Sequence, residues 1–375
     1  MRIKIIRQVK QIINKILGRL PYGMYRAITT KYDDMVIVDK TQRYRLAFFH
    51  RAKIGARDKY YIFRFQMPDY MLFAAAIQYI FCYAWAHSKG FIPVIDMEQE
   101  YDFKQGRLGI ANLWDSCFEQ EISVGEALKK DYVFVEAIGG VARDTIDNLK
   151  INPEEGDHWI HVTMDADWRE YYANINKKID KCWKFKPEII SFYETHYGKK
   201  IKDGTVVLGV ALREEFSKEV TSHFDETAAK VAANHPSIIG IKETVELVKQ
   251  YMVMWSADKI FLSTEMEESV DEFVKVFGER VVYVDRKRRD RNVIIEGSKT
   301  WGENLEERYN SFQQKGGEKY FQDVTIPYVY EVLGLSECDY FIGAKASGSA
   351  AALVLNGGKY KDIYILPDAN SIKRY

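Results

Sequence analysis

The chain has 375 residues, of which 47% are hydrophobic, 14% aromatic and 29% charged, with 54 Lys plus Arg set against 54 Asp plus Glu. That length excludes one small module and suggests two or three domains at roughly 100 to 200 residues each. The composition excludes a mainly disordered chain, and the balanced charge excludes a global basic field for nucleic acid.

Charge is uneven along the chain. Met1 to Tyr32 contains no acidic residue, while Ile5, Ile6, Val9, Ile12, Ile13, Ile16, Leu17 and Leu20 recur at helical spacing. Residues 1–25 are therefore expected to form a basic amphipathic helix, lying on an anionic membrane surface or docked on its own domain. Tyr60 to Phe65, Tyr70 to Ser88 and Phe91 to Asp96 read as strand, helix, strand. The second strand is an apolar run ending in an acid, as in a buried parallel strand. Asn112 to Glu119 reads as a polar and aromatic loop, Tyr132 to Glu136 as a strand, and Trp168 to Tyr197 as helix with a break at Pro187. Gly198 to Gly204 is rich in glycine and lysine, and a domain boundary is placed there.

Beyond it, strands are expected at Thr205 to Leu212, Lys259 to Thr264, Arg280 to Val284, Tyr340 to Gly343 and Asp362 to Leu366. Helices are expected at Ile241 to Trp255, Ser269 to Phe277, Tyr328 to Leu335 and Ser349 to Leu355. This alternation describes a parallel sheet with helices on both faces. Cys82, Cys117, Cys182 and Cys338 form no CxxC pair, so neither a zinc knuckle nor a disulfide framework is signalled. No run of 18 apolar residues occurs and no secretory cleavage pattern opens the chain. The expected setting is the cytoplasm, soluble or peripheral at the inner face of the membrane.

Ligands of parallel sheets sit outside the carboxyl ends of the strands. Arg213 follows the apolar run VVLGVAL, and its planar fork suits a diphosphate; a salt bridge to Glu214 or Glu215 is the alternative. Ser263, Thr264 and Glu265 stand at the end of the strand KIFLS, where hydroxyls and a carboxylate bind sugar hydroxyls or cap the next helix. Ala344 to Ser349, with Ser347 and Gly348, lies between the strand YFIG and the helix SAAALVL, where small residues at a helix start let a phosphate approach backbone N–H groups. Arg286 to Arg289, with Arg291, forms a basic loop, solvated or attracting an acceptor phosphate. Trp114, Phe118, Trp168 and Tyr171 are either a sugar platform or ordinary packing. No D-x-D acidic pair stands at a strand end, so no metal site is expected.

These segments, GVALR, IFLSTE and EVLGLSECDYFIGAKASGSAAAL, resemble three motifs of the fucosyltransferase superfamily that includes α-1,6-, nodulation and protein O-fucosyltransferases. The resemblance covers roughly Val206 to Leu355, with a weaker echo in NLWDSCFEQ. It implies an α/β protein of the GT-B fold, two Rossmann-like domains facing across a cleft: residues 26–198 on the acceptor side and 199–375 binding the nucleotide sugar. It implies an inverting, metal-independent transfer of fucose or a related sugar to a glycan, as in surface polysaccharide assembly. The partners would be a nucleotide sugar, GDP-fucose by resemblance, and an oligosaccharide or lipid-linked acceptor.

Arg213 falls on the family's diphosphate-contacting arginine, Ser347 on a serine that hydrogen-bonds the donor phosphate, and Glu331 where an aspartate helps to recognise guanine. Thr264, Glu265, Gly348 and Ser349 complete the expected donor set. Glu215 and Glu219 after Arg213, or Asp115 and Glu119 on the acceptor side, are candidates for the base. The chain departs from the pattern at Ala211, where histidine is usual, and at Glu214, where a basic residue is usual. A donor with another base, or a catalytically degenerate glycan-binding scaffold, is the alternative.

Overall fold

The computed structural model describes residues 35–37, 46–51, 60–66, 72–88, 90–97, 112–127, 129–130, 132–138, 160, 162–213, 240–288 and 325–367. The chain divides into two compact units: Met1–Trp159 with Lys178–Phe185, and Ile160–Lys177 with Lys186–Tyr375.

The first unit holds strands β1 (Met35–Ile37), β2 (Leu46–Arg51) and β3 (Tyr60–Gln66), helix α1 (Leu72–Ser88), strand β4 (Ile92–Ile95), short helices α2 (Leu113–Cys117) and α3 (Val124–Ala127), and strand β5 (Tyr132–Ile138). Its sheet runs β1-β2-β5-β3-β4. The central β3 pairs in parallel with β4 and β5, while β2 pairs antiparallel with β5 and β1. The core side chains explain why α1 shows no polar stripe. Phe73, Tyr79, Ile80 and Cys82 are all fully buried, and Trp114, Phe118 and Trp183 pack ring to ring around them. The segment expected as a loop contains α2, because the Asn112 side chain accepts from the Trp114 N–H and starts a helical turn.

The second unit contains α4 (Trp168–Ile179), α5 (Pro187–Tyr193) and a π-turn at Glu194–Gly198, then β6 (Val207–Ala211), α6 (Ile241–Met254), β7 (Lys259–Ser263), α7 (Glu267–Phe277), β8 (Val281–Tyr283), α8 (Ile326–Ser336), β9 (Tyr340–Gly343), α9 (Ser347–Asn356) and β10 (Asp362–Ile365). The five strands are parallel in the order β10-β9-β6-β7-β8. They read as near-continuous apolar runs because both faces are covered. On one face Leu208, Val210, Ile260, Leu262 and Ile342 meet Val245 and Val248 of α6 and Val270 and Phe273 of α7. On the other, α8 comes so close that a Cβ on Gly334 would lie 2.2 Å from the Phe261 ring. All four cysteines are buried.

Candidate functional site

Strands β6 and β9 are neighbours at the centre of the second sheet. The chain leaves β6 toward β7 on one side and enters β9 from β8, with β10 beyond. That reversal is a topological switch point, and the crevice outside the carboxyl ends of such strands is the usual ligand position. The register fixes which residues reach it. Ala211 pairs with Ser263 and Gly343, the Leu212 N–H donates to the Ser263 carbonyl at 2.9 Å, and the Ala344 N–H donates to the Ala211 carbonyl at 3.0 Å. Arg213, Glu265 and Lys345 are thus equivalent, each two residues past the paired strand ends.

Helix α9 starts at the same edge. Its N-cap, Ala346, is extended and no side chain caps it, so its first N–H groups and partial positive charge are left for another acceptor. Ser347 is half-buried, whereas Gly348 and Ser349 are buried. Gly348 has a specific reason to lack a side chain: a Cβ there would meet the Tyr328 hydroxyl at 2.1 Å. Arg213 and Glu265 both act electrostatically on that same hydroxyl. Tyr328 thus lies against the first turn of α9, within electrostatic reach of Arg213 and Glu265. Burial, followed by the Glu265 and Glu331 carboxylates, raises the Tyr328 pKa and keeps the hydroxyl protonated.

One turn beyond Tyr328, Glu331 is fully buried. Its carboxylate accepts from Arg286 Nε at 2.8 Å, Arg286 Nη2 at 3.0 Å, Arg288 Nη2 at 3.2 Å and Ser263 Oγ at 2.9 Å. These four donors occupy it, so Glu331 acts in this structure as an ion-pair centre. Arg286 also donates to the Thr264 carbonyl at 2.9 Å. Burial works against its charge, but Glu331 more than offsets that and raises its pKa. The basic loop is accordingly not solvated at Arg286 and Arg288, whose side chains are buried. The Thr264 hydroxyl turns inward and accepts the Met266 N–H at 3.1 Å just before α7, while Glu265 is half-buried at the crevice.

The acceptor-side candidates belong to the first unit, at the carboxyl end of β4. Asn112 Nδ2 donates to the Ile95 carbonyl at 2.8 Å and to Asp115 at 3.1 Å, and Gln120 also donates to Asp115. Asp115 is thus held in an amide network, and Glu119 pairs with Lys184 at 2.5 Å. Trp114, Phe118 and Trp168 are buried, which makes them packing and not an open sugar platform. Glu215, Glu219 and the segment 1–25 lie outside the described residues. Among the described residues, no group of three or more His, Cys, Asp or Glu side chains is arranged to hold a metal ion.

Sequence reasoning missed Tyr328 and the pairing of Arg286 and Arg288 with Glu331. The only sequence signal was the spacing of Tyr328 and Glu331, three apart and so on one helix face.

No family model matches the sequence, and no curated protein matches it. Solved structures do. The fucosyltransferase NodZ from Bradyrhizobium aligns over 79% of this chain and 92% of its own, with 12% identity and a TM-score of 0.38. POFUT1 in complex with GDP aligns over 81% of this chain and 98% of its own, with 9% identity and a TM-score of 0.41. A FUT1 mutant from Arabidopsis thaliana in complex with GDP aligns over 96% of this chain and 79% of its own, with 9% identity and a TM-score of 0.40. Fucosyltransferases are among the solved structures that this α/β chain resembles.

Proposed function

We propose that this protein is an inverting glycosyltransferase of the GT-B class, moving fucose or a related sugar from a nucleotide diphosphate to a glycan acceptor. The observation that carries the reading is the β6/β9 switch point, with Arg213 and the uncapped start of α9 at its adjacent strand ends. A guanidinium and oriented N–H groups stabilise the charge that develops on a departing diphosphate. On this reading the donor belongs to residues 199–375 and the acceptor to residues 26–198. Arg213, Glu265, Ser347, Gly348 and Ser349 bind donor, Thr264 and Glu331 support them from below, and the leaving group departs without a metal ion.

The acceptor hydroxyl needs a base opposite the leaving group. Glu215, Glu219, Asp115 and Glu119 remain the candidates for it. The motif resemblance favours GDP-fucose as donor. The occupied carboxylate of Glu331 favours a second reading, the same transfer from a donor with a base other than guanine. The acceptor would be an oligosaccharide or lipid-linked glycan in surface polysaccharide assembly, met in the cytoplasm at the inner face of the membrane.

The test is donor-dependent release of free GDP or UDP, with and without glycan acceptor, in the presence and absence of EDTA. Acceptor-stimulated release that EDTA leaves unchanged is the expected result. Release abolished by EDTA and restored by manganese or magnesium contradicts the metal-independent mechanism. No release from any donor contradicts the enzyme.

A further inference from the structure

A buried ion cluster does not by itself stabilise a fold, because removing each charge from water offsets the attraction between them. Yet three ionised side chains lie packed beneath the crevice. Arg286, Arg288 and Glu331 expose 4%, 1% and 0% of their side chains. Two guanidiniums meet one carboxylate, and Arg288 Nε has no hydrogen-bond partner among the described residues. The half-buried Glu265 carboxylate also acts on Arg286, so the two guanidiniums of the cluster answer to two carboxylates, one of them at the crevice.

Arg286 is its junction. Nε and Nη2 grip the two oxygens of Glu331 at 2.8 and 3.0 Å, and Nη2 also donates to the Thr264 carbonyl at 2.9 Å. It ties the end of β7 to α8 from the segment that follows β8. Its guanidinium carbon lies 5.8 Å from the centre of the Tyr328 ring. The hydroxyl of that ring fills the space beside Gly348, in the first turn of α9.

We infer that Arg286 is a positioning residue for the anion-binding end of the crevice: gripping Glu331 and the Thr264 carbonyl together, it sets the Tyr328 hydroxyl against the first turn of α9, where that hydroxyl donates to the ligand's diphosphate. This rests on the donor-site reading above. It adds Tyr328 as a direct contact and Arg286 as the group that aims it. A lysine cannot replace Arg286, since one ammonium does not reproduce two parallel donors in a fixed fork.

The experiment titrates GDP and inorganic pyrophosphate into the full chain and four variants, with thermal unfolding measured for each: Tyr328→Phe, Arg286→Lys, Arg213→Ala, and the apolar triple Arg286→Met/Arg288→Met/Glu331→Leu. The triple removes every charge of the cluster at once, so no buried ion is stranded. We expect Tyr328→Phe and the triple to melt close to the unaltered chain while binding both probes at least roughly tenfold more weakly, a loss of about 1.4 kcal/mol. Arg286→Lys is expected to lose affinity with them. A folded triple that binds like the unaltered chain overturns the inference. Tyr328→Phe leaves the cluster untouched and decides alone if the triple fails to fold: unchanged binding overturns the inference, weakened binding at unchanged melting supports it. Full-strength binding by Arg213→Ala overturns the donor-site reading and the inference with it. Loss in Arg213→Ala alongside full-strength binding in Tyr328→Phe overturns the inference only.

Discussion

Gly348 sits where a methyl group would strike a hydroxyl, and that single contact makes the crevice testable without any ligand. Alanine there would place its Cβ 2.1 Å from the Tyr328 oxygen and 3.1 Å from the ring carbon that bears it. We expect Gly348→Ala to cost about 1 to 3 kcal/mol of stability through overpacking, and Tyr328→Phe in the same chain to recover most of that cost. Thermal unfolding of the two single variants and the double variant measures it. Additive losses would mean that the two groups do not meet. The place of Arg213 was legible in the sequence because an uninterrupted apolar run leads up to it, which puts it just past the end of a buried strand. The small residues of Ser347 to Ser349 were legible for a similar reason, since they open a helix directly after a strand. Tyr328 was not legible: its role depends on Gly348, twenty positions away, and on a guanidinium from a third segment. Glu331 pairs with Arg286 across 45 positions, so sequence reading left the arginines in a loop that was either solvated or drawn to an acceptor phosphate.

At the scale of elements, α8 carries the most information. It approaches the sheet through Gly334 against Phe261 and is tied to the end of β7 and the segment after β8 through Glu331. Glu331→Ala strands two buried guanidiniums, and we expect it to destabilise the chain by about 3 to 5 kcal/mol. Chemical denaturation is the measurement, and a loss below about 1 kcal/mol would mean that water reaches the cluster. The parallel strands of the second sheet were legible as apolar runs of about five residues because both their faces are covered. Strands β1 and β2 were not, since they lie at the sheet's antiparallel side and Leu46–Arg51 carries a histidine and an arginine at its end. The short helix α2 escaped for a local reason: five residues give too little periodicity, and only the Asn112 cap marks it.

At the scale of the whole molecule, the alternation of strands and helices in the sequence predicted a parallel sheet but not its order, which is a matter of which strand lies beside which. The order β10-β9-β6-β7-β8 is what turns separate loops into one crevice. Stability should also carry a mark of the many buried tyrosines. Burial raises the pKa of Tyr172, Tyr193 and Tyr360 above the ordinary value of 10.0. The folded state therefore holds them neutral, with full stability below about pH 10 and a loss above it of up to about 1.4 kcal/mol per pH unit for each. Melting followed from pH 8 to 11.5 tests this, and a flat profile would count against their burial. No helix among the described residues is long and apolar enough to cross a membrane. We propose attachment of another kind for the basic segment 1–25, each cation near an anionic surface contributing about 1 kcal/mol. We expect the full chain to sediment with anionic vesicles at low salt and to leave them at high salt, and indifference to vesicles would make that segment an internal packing surface. The most direct test of the central claim is calorimetric titration of the full chain and of Arg213→Ala with GDP, UDP, dTDP and CMP. The account expects one of these nucleotides to bind the unaltered chain, and expects Arg213→Ala to lose about 3 kcal/mol of that affinity; equal binding by the two chains, or binding by neither, would contradict it.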